Sequence, residues 1–226
     1  LRFLGAFLVL FGHSFELCYG RRGGLDPVST ALMGVTAYQA KLPGIGVALF
    51  FVLSGYLVTR SFENRQSLRA YVEARVLRIF PALWVTLLLT VLVLGPLVTT
   101  LELSAYFTHL GTWKYLLINA RLFPDVMYNL PGVFVENPWS GAVNGSLWTL
   151  PVEVRMYMIV AFLGVMGFLR RSDIFNLIGL LIIAWYLLVP EHFVLLHDLK
   201  HMRLGVYFLL GAFLYMNRDT IIYHWL

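Results

Sequence analysis

The chain contains one cysteine, Cys18, and charged residues make up only 13% of its 226 positions. A single thiol excludes an internal disulfide and any metal site built from several cysteines. The charged fraction is about half of the ~25% found in ordinary soluble domains. No internal repeat and no low-complexity tract interrupts the sequence. The first segment lacks the small-residue cleavage pattern of a signal peptide, so it reads as a mature span. No G-x-S-x-G elbow and no H-E-x-x-H pair is present, which removes the commonest serine-hydrolase and zinc-protease signatures.

What the chain has in quantity is hydrocarbon: 59% of its residues are hydrophobic. Apolar runs of membrane-spanning length recur, which gives an all-α fold class, a polytopic transmembrane helical bundle. The net charge of +5 fits the arginine excess of cytoplasmic loops rather than a nucleic-acid partner.

In order, the spans are expected at Leu1–Cys18, Pro43–Thr59, Ile79–Leu101, Ser146–Leu169, Ile174–Val189 and Met202–Met216. That makes six complete spans, with the start of a seventh at Thr220. Pro81 suits the first turn of span three. Between spans three and four, Ser104–Ile118 reads as an interfacial helix, because Trp113 and Tyr115 are headgroup-level residues. The chain starts without methionine and stops in an apolar run. Both ends are therefore expected to be cut.

Arginine density sets the orientation. With the N-terminus inside, the inner connections are Arg60–Arg78 and the turns at Arg170–Arg171 and Arg218, holding eight arginines. The longer outer connections hold fewer basic residues, although the Arg21–Arg22 pair opposes this assignment.

The first span carries the main chemical signal. Arg2 and His13 are eleven residues apart, which is within ~20° of three full helical turns and ~16 Å along the axis. Glu16 follows His13 by three and can share its face. Ionisable groups on a hydrocarbon-buried helix are costly unless they line a pocket or a polar path. His13 suits a general base or a transient nucleophile, with Glu16 orienting the ring. The bland alternatives are a helix-to-helix hydrogen bond for His13 and a snorkelling end for Arg2.

Arg75 and Arg78 form an R-x-x-R pair on one helical face, just before the expected N-terminus of span three. Two readings stand: a phosphate site assisted by that N-terminus, and a positive-inside anchor. Glu153 and Tyr157 are four apart and share a face, with Pro151 expected to loosen the helix and free a carbonyl. They form either a charge-bearing site or a structural clasp. Arg155 lies on another face and can pair with an acid of a neighbouring span.

Ser54–Gly55 reads as a close-packing point rather than a nucleophile. His192, His197 and His201 read as loop histidines, and no metal site is assigned. Asn144-Gly145-Ser146 matches a glycosylation sequon, a short pattern that recurs by chance.

Four stretches together carry a resemblance. They are LRFLGAFLVLFGHS at the start, FFVLSGYLVTRSF at 50–62, RVLRIFPALW at 75–84 and SLWTLPVEVRMY at 146–157. In this order the chain resembles the membrane-bound acyltransferase-3 family of multi-span O-acyltransferases. The resemblance implies about ten spans in a bacterial inner membrane, so that residues 1–226 are expected to be the N-terminal portion of a single membrane-embedded acyltransferase domain. It implies a cytoplasmic acyl-CoA donor, with acetyl-CoA foremost, and a carbohydrate or glycolipid acceptor on the outer side, with no bound cofactor. Arg2 and His13 fall on the family's essential pair, Arg75 and Arg78 on its R-x-x-R motif, and Glu153 on the glutamate of its late motif. The family's short polar lead before the arginine is absent here. The rival classes are a transporter or flippase, which would also need intramembrane charge and a broken helix, and a structural or receptor-type membrane protein.

Overall fold

A computed structural model describes residues 1–20, 25–36, 40–65, 67–122, 125–188 and 199–220. Among the described residues there are helices and no strands, with isolated bridges pairing Thr99 with Val133 and Asn129 with Ala142. The helices are α1 (Arg2–Tyr19), α2 (Pro27–Val35), α3 (Leu42–Asn64), α4 (Leu68–Leu89), α5 (Gly95–Val98), α6 (Leu103–Thr108), α7 (Leu110–Arg121), α8 (Thr149–Val165), α9 (Ser172–Leu188) and α10 (Leu199–Met216). A π-turn at Thr90–Leu94 joins α4 to α5, and a 3₁₀ turn at Gly145–Trp148 leads into α8.

Three helical stretches among the described residues are long and apolar enough to cross a membrane: Leu42–Asn64, Leu68–Val98 and Gly145–Val165. Ser172–Leu188 and His201–Met216 are apolar but shorter. The expected start of the seventh span falls outside the described residues beyond Thr220.

The boundaries depart from the sequence reading in an instructive way. The segment Arg60–Arg78 is not a loop: α3 runs on to Asn64 and α4 already begins at Leu68. Arginine and glutamate are good helix formers, so polarity ends the apolar run without ending the helix. Pro81 is consequently in the interior of α4, where its ring removes one ladder hydrogen bond. The expected interfacial helix is two helices, α6 and α7, parted at His109. The imidazole there caps α7 by accepting from the Gly111 N–H at 2.9 Å.

The chain divides into two compact units. One comprises Leu1–Gly5, Gly46–Glu73 and Val152–Leu226; the other comprises Ala6–Ile45 and Ala74–Pro151.

In the first unit, α3 and α10 meet backbone to backbone. A Cβ on Gly55 would strike the Phe208 carbonyl, and one on Gly211 would strike the Val52 carbonyl. Ser54, beside this crossing, is buried. Small residues permit such an approach, and dispersion between the closely packed backbones holds it where lipid weakens any hydrophobic drive. Gly164 of α8 admits the Phe62 ring in the same manner. The Tyr71 hydroxyl donates to the Tyr157 carbonyl at 3.0 Å, tying the start of α4 to α8. Asn176 and Asn217 exchange amide hydrogen bonds of 2.8 and 2.9 Å between α9 and the end of α10.

In the second unit, α1 presents a ladder of Phe7, Phe11, Phe15 and Tyr19 at successive i, i+4 positions, with ring centroids 5.3–6.4 Å apart. The Asp26 carboxylate caps α2 through the Ser29 N–H at 2.7 Å, and Pro27 takes the first turn. The Ser29 hydroxyl then accepts from the Leu42 N–H at 2.9 Å, fixing the entry to α3.

The connection from Thr99 to Trp148 is irregular but densely tied. The π-turn presents the Val91 carbonyl to the Tyr106 hydroxyl at 2.9 Å. The Asn119 amide both donates to the Met127 carbonyl and accepts from its N–H, at 2.9 and 2.8 Å, standing in for a strand partner. Trp84 of α4 donates to the Ala120 carbonyl at 3.2 Å. The Asn144 amide donates to the Thr90 hydroxyl at 2.9 Å and to the Tyr115 hydroxyl at 3.1 Å. Burial, aided by the neighbouring Tyr115, pushes the Tyr106 phenol up to about 12, and burial raises Tyr115 as well.

Candidate functional site

Arg2 and His13 lie on one unbroken helix, so the eleven-residue register of the sequence reading applies to α1 as it stands. Arg2 opens the helix and is exposed. His13 is 47% exposed, and its Nδ1 is 3.0 Å from Glu16 Oε2. A neutral ring with its proton on Nδ1 donates to that carboxylate and leaves a lone pair on Nε2. One turn of helix thereby brings an imidazole and a carboxylate together.

Glu153 and Tyr157 also meet as the spacing predicts: the Tyr157 hydroxyl donates to Glu153 Oε2 at 2.9 Å. Tyr157 is buried and Glu153 half-buried. Tyr157 is anchored in turn, because its carbonyl accepts from Tyr71. Pro151 needs correction. It is the third residue of α8, directly after the 3₁₀ turn, and not a break within a helix. The Leu147 and Ser146 carbonyls accept from the Thr149 N–H, so the proline does not leave a free carbonyl to open a cavity.

Arg75 and Arg78 are one turn apart on α4, the first half-buried and the second exposed. They too are displaced from expectation. The helix begins at Leu68, seven residues before Arg75, so neither arginine sits beside unpaired helix N–H groups. Any anion they hold is held by guanidinium forks alone.

By unit, Arg2, Ser54, Glu153 and Tyr157 belong to the first, and His13, Glu16, Arg75 and Arg78 to the second. His192 and His197 lie outside the described residues. His201 is on α10, and among the described residues no cluster of His, Cys, Asp and Glu could hold a metal ion. Asn144 is committed through both amide hydrogens to Thr90 and Tyr115, so its sequon marks a structural asparagine.

The sequence profile of the acyltransferase-3 family, described as an acyltransferase domain, matches residues 1–225. The chain belongs to the acyltransferase-3 family. Among curated proteins it is 33% identical over 172 residues to nodulation protein 10 of Rhizobium leguminosarum bv. viciae, covering 72% of this chain and 42% of that protein. It is 30% identical over 159 residues to an O-acetyl transferase of Shigella phage Sf6, covering 70% of this chain and 42% of that one. The match spans well under half the length of either relative. No solved structure matches.

One polar cluster of this acyltransferase-3 chain escaped the sequence reading. Glu63 at the end of α3 accepts a hydrogen bond from the Tyr215 hydroxyl and lies 3.5 Å from Arg218. The Arg218 guanidinium stands 4.1 Å from the Tyr215 ring centroid. Glu63 and Tyr215 are 152 positions apart, so no local spacing could have announced them.

Proposed function

We propose that this chain is the N-terminal part of a membrane O-acyltransferase that moves an acyl group, acetyl in the first instance, from cytoplasmic acyl-CoA to a carbohydrate hydroxyl on the outer side. The carrying observation is the His13–Glu16 pair at 3.0 Å in a chain of the acyltransferase-3 family. In the direct route, Nε2 takes the proton of the sugar hydroxyl and the oxygen attacks the thioester carbonyl. The carbon–sulfur bond breaks, and the departing thiolate receives the proton back from the imidazolium. In the covalent route, Nε2 itself attacks the thioester, the coenzyme leaves, and the sugar hydroxyl then displaces the imidazole.

Arg75 and Arg78 are assigned to the phosphates of the donor, and Arg2 to a point charge on the helix that bears His13. Glu153, aligned by Tyr157, is the proposed acidic partner. The protein is placed in a bacterial inner membrane with the N-terminus inside. α1, α3, the rod from α4 to α5, α8, α9 and α10 are the six spans, and the seventh begins after Thr220. Eight arginines on the inner connections support that orientation.

The test is coenzyme A release from acetyl-CoA by the full-length protein in the presence of a sugar acceptor. His13→Ala should lower turnover by ~10²–10⁴-fold, the usual contribution of a general base, while the protein stays folded. Glu16→Gln should lose less. Unaltered release in folded His13→Ala would remove the histidine from the mechanism. Wild-type protein that consumes no thioester would favour the transporter reading.

A further inference from the structure

We infer that the end of α3 carries a phosphate-binding cleft, separate in its residues from Arg75 and Arg78, that takes a phosphate-bearing amphiphile. An open hollow of about 410 Å³ is lined by Leu57, Arg60, Ser61, Asn64 and Arg65. The first four follow at i, i+3, i+4 and i+7, one stripe of the helix. Arg65 lies one residue beyond the helix and on spacing alone would point elsewhere. Its side chain is folded back, Nε donating to the Ser61 hydroxyl at 3.2 Å and a terminal nitrogen to the Ala70 carbonyl at 3.0 Å. Two guanidinium groups therefore border one hollow.

Among the described residues no carboxylate lines that hollow. The acid of these turns, Glu63, is engaged by Tyr215 and Arg218 instead. Two like charges beside a common cavity repel, and an anion between them reverses the sign of the interaction. Guanidinium forks match phosphate oxygens, and pinning Arg65 in advance reduces the ordering that binding would require. The Asn64 amide adds a neutral partner, and Leu57 lines the hollow with hydrocarbon. Phosphate at one end and an apolar portion at the other describe a ligand such as acyl-CoA or an anionic lipid. The coenzyme source rests on the acyl-CoA reading above; the lipid source does not.

Full-length protein in zwitterionic-lipid nanodiscs, titrated calorimetrically with coenzyme A, tests the first source. Arg60→Ala with Arg65→Ala should weaken binding at least tenfold. Arg69→Ala should not, because Arg69 is paired with Glu73 at 2.7 Å and does not line the cleft. Nanodiscs doped with phosphatidylglycerol test the second, with retained lipid counted by native mass spectrometry. Loss of retained lipid in the double variant, with coenzyme binding intact, assigns the cleft to a headgroup. Unchanged values in both arms overturn the cleft. The Arg60→Lys, Arg65→Lys pair keeps charge and stem where the alanine pair fails to fold. It should still lose several-fold of the same affinity, and full retention counts equally against the inference. Wild-type protein that binds no coenzyme A would overturn the donor assignment, and the lipid arm would then decide the cleft by itself.

Discussion

The α3–α10 crossing and the Thr99–Trp148 connection solve the same problem by opposite means. In the crossing both backbones are helical and satisfy their own hydrogen bonds, so side chains contribute by being absent. Gly55 and Gly211 each leave room for a carbonyl of the facing helix. In the connection, outside α6 and α7, the backbone has no continuous ladder to pair with, and side chains supply partners that a ladder would have given. Asn119 serves both polar groups of Met127, Tyr106 takes the Val91 carbonyl, and Thr112 takes the Tyr106 carbonyl at 2.7 Å. Helical segments of an apolar chain are thus sensitive to added atoms, and irregular ones to lost polar groups.

The largest effect expected from this contrast is at Gly55. Gly55→Ala places a methyl group against a main-chain oxygen that cannot rotate away, so the helices must part. A loss of at least ~3 kcal/mol is expected, at the upper end of overpacking costs, read as loss of monodisperse protein on detergent extraction. Gly34→Ala in α2 is the matched control, since nothing lies within 4 Å of its added carbon. It should be neutral or gain up to ~1 kcal/mol. Equal tolerance at both positions would break the comparison.

The next effect belongs to Asn119. Asn119→Ala leaves the N–H and the carbonyl of half-buried Met127 unpaired and should cost ~2 kcal/mol, at ~1 kcal/mol for each group, the lower end of the range for a stranded polar group. Hydrogen exchange should accelerate at residues 125–133 and leave α10 untouched. Asn119→Asp, which keeps the acceptor and loses the donor, should fall between alanine and wild type.

The smallest effect is on pH. Tyr106 titrates at 10.0 when free and at about 12 in the fold, so the native state holds its proton longer than the unfolded state. Its contribution is complete below pH 10 and declines as pH climbs toward 12. Near-ultraviolet tyrosine signals of the connection should loosen in that window, and Tyr106→Phe should flatten the dependence. A connection equally stable at both ends of the window would show that the hydroxyl-to-Val91 bond is dispensable.

What could be read from the residues alone follows from range in sequence. Apolar runs announce helices because the backbone of a membrane span has few other options, and each span of the sequence reading overlaps a helix of the structure. The pairs His13–Glu16 and Glu153–Tyr157 were legible because three or four residues on a helix fix a neighbour. Helix ends were not legible where arginine and glutamate continued the helix, and that error displaced Arg75 and Arg78 from a helix start to its interior. The structural role of Asn144 was not legible, because a three-residue pattern does not encode the company of Thr90 and Tyr115, 54 and 29 positions away. Glu63 with Tyr215 was invisible for the same reason.

The π-turn at Thr90–Leu94 sets the phase of everything after it. In its five-residue loop the Gly95 N–H reaches the Thr90 carbonyl, one position farther back than an α-helix allows, which is the geometry of a single inserted residue. Deleting one residue from 90–94 would heal the ladder into a plain α-helix and improve it locally. It would also turn α5 by ~100° about the axis. Gly95, where an added carbon would collide with the Tyr106 phenol, would leave its place, and the Val91 carbonyl would return to the ladder. Locally the helix would be better formed, and the connection that reads its phase would have lost its footing.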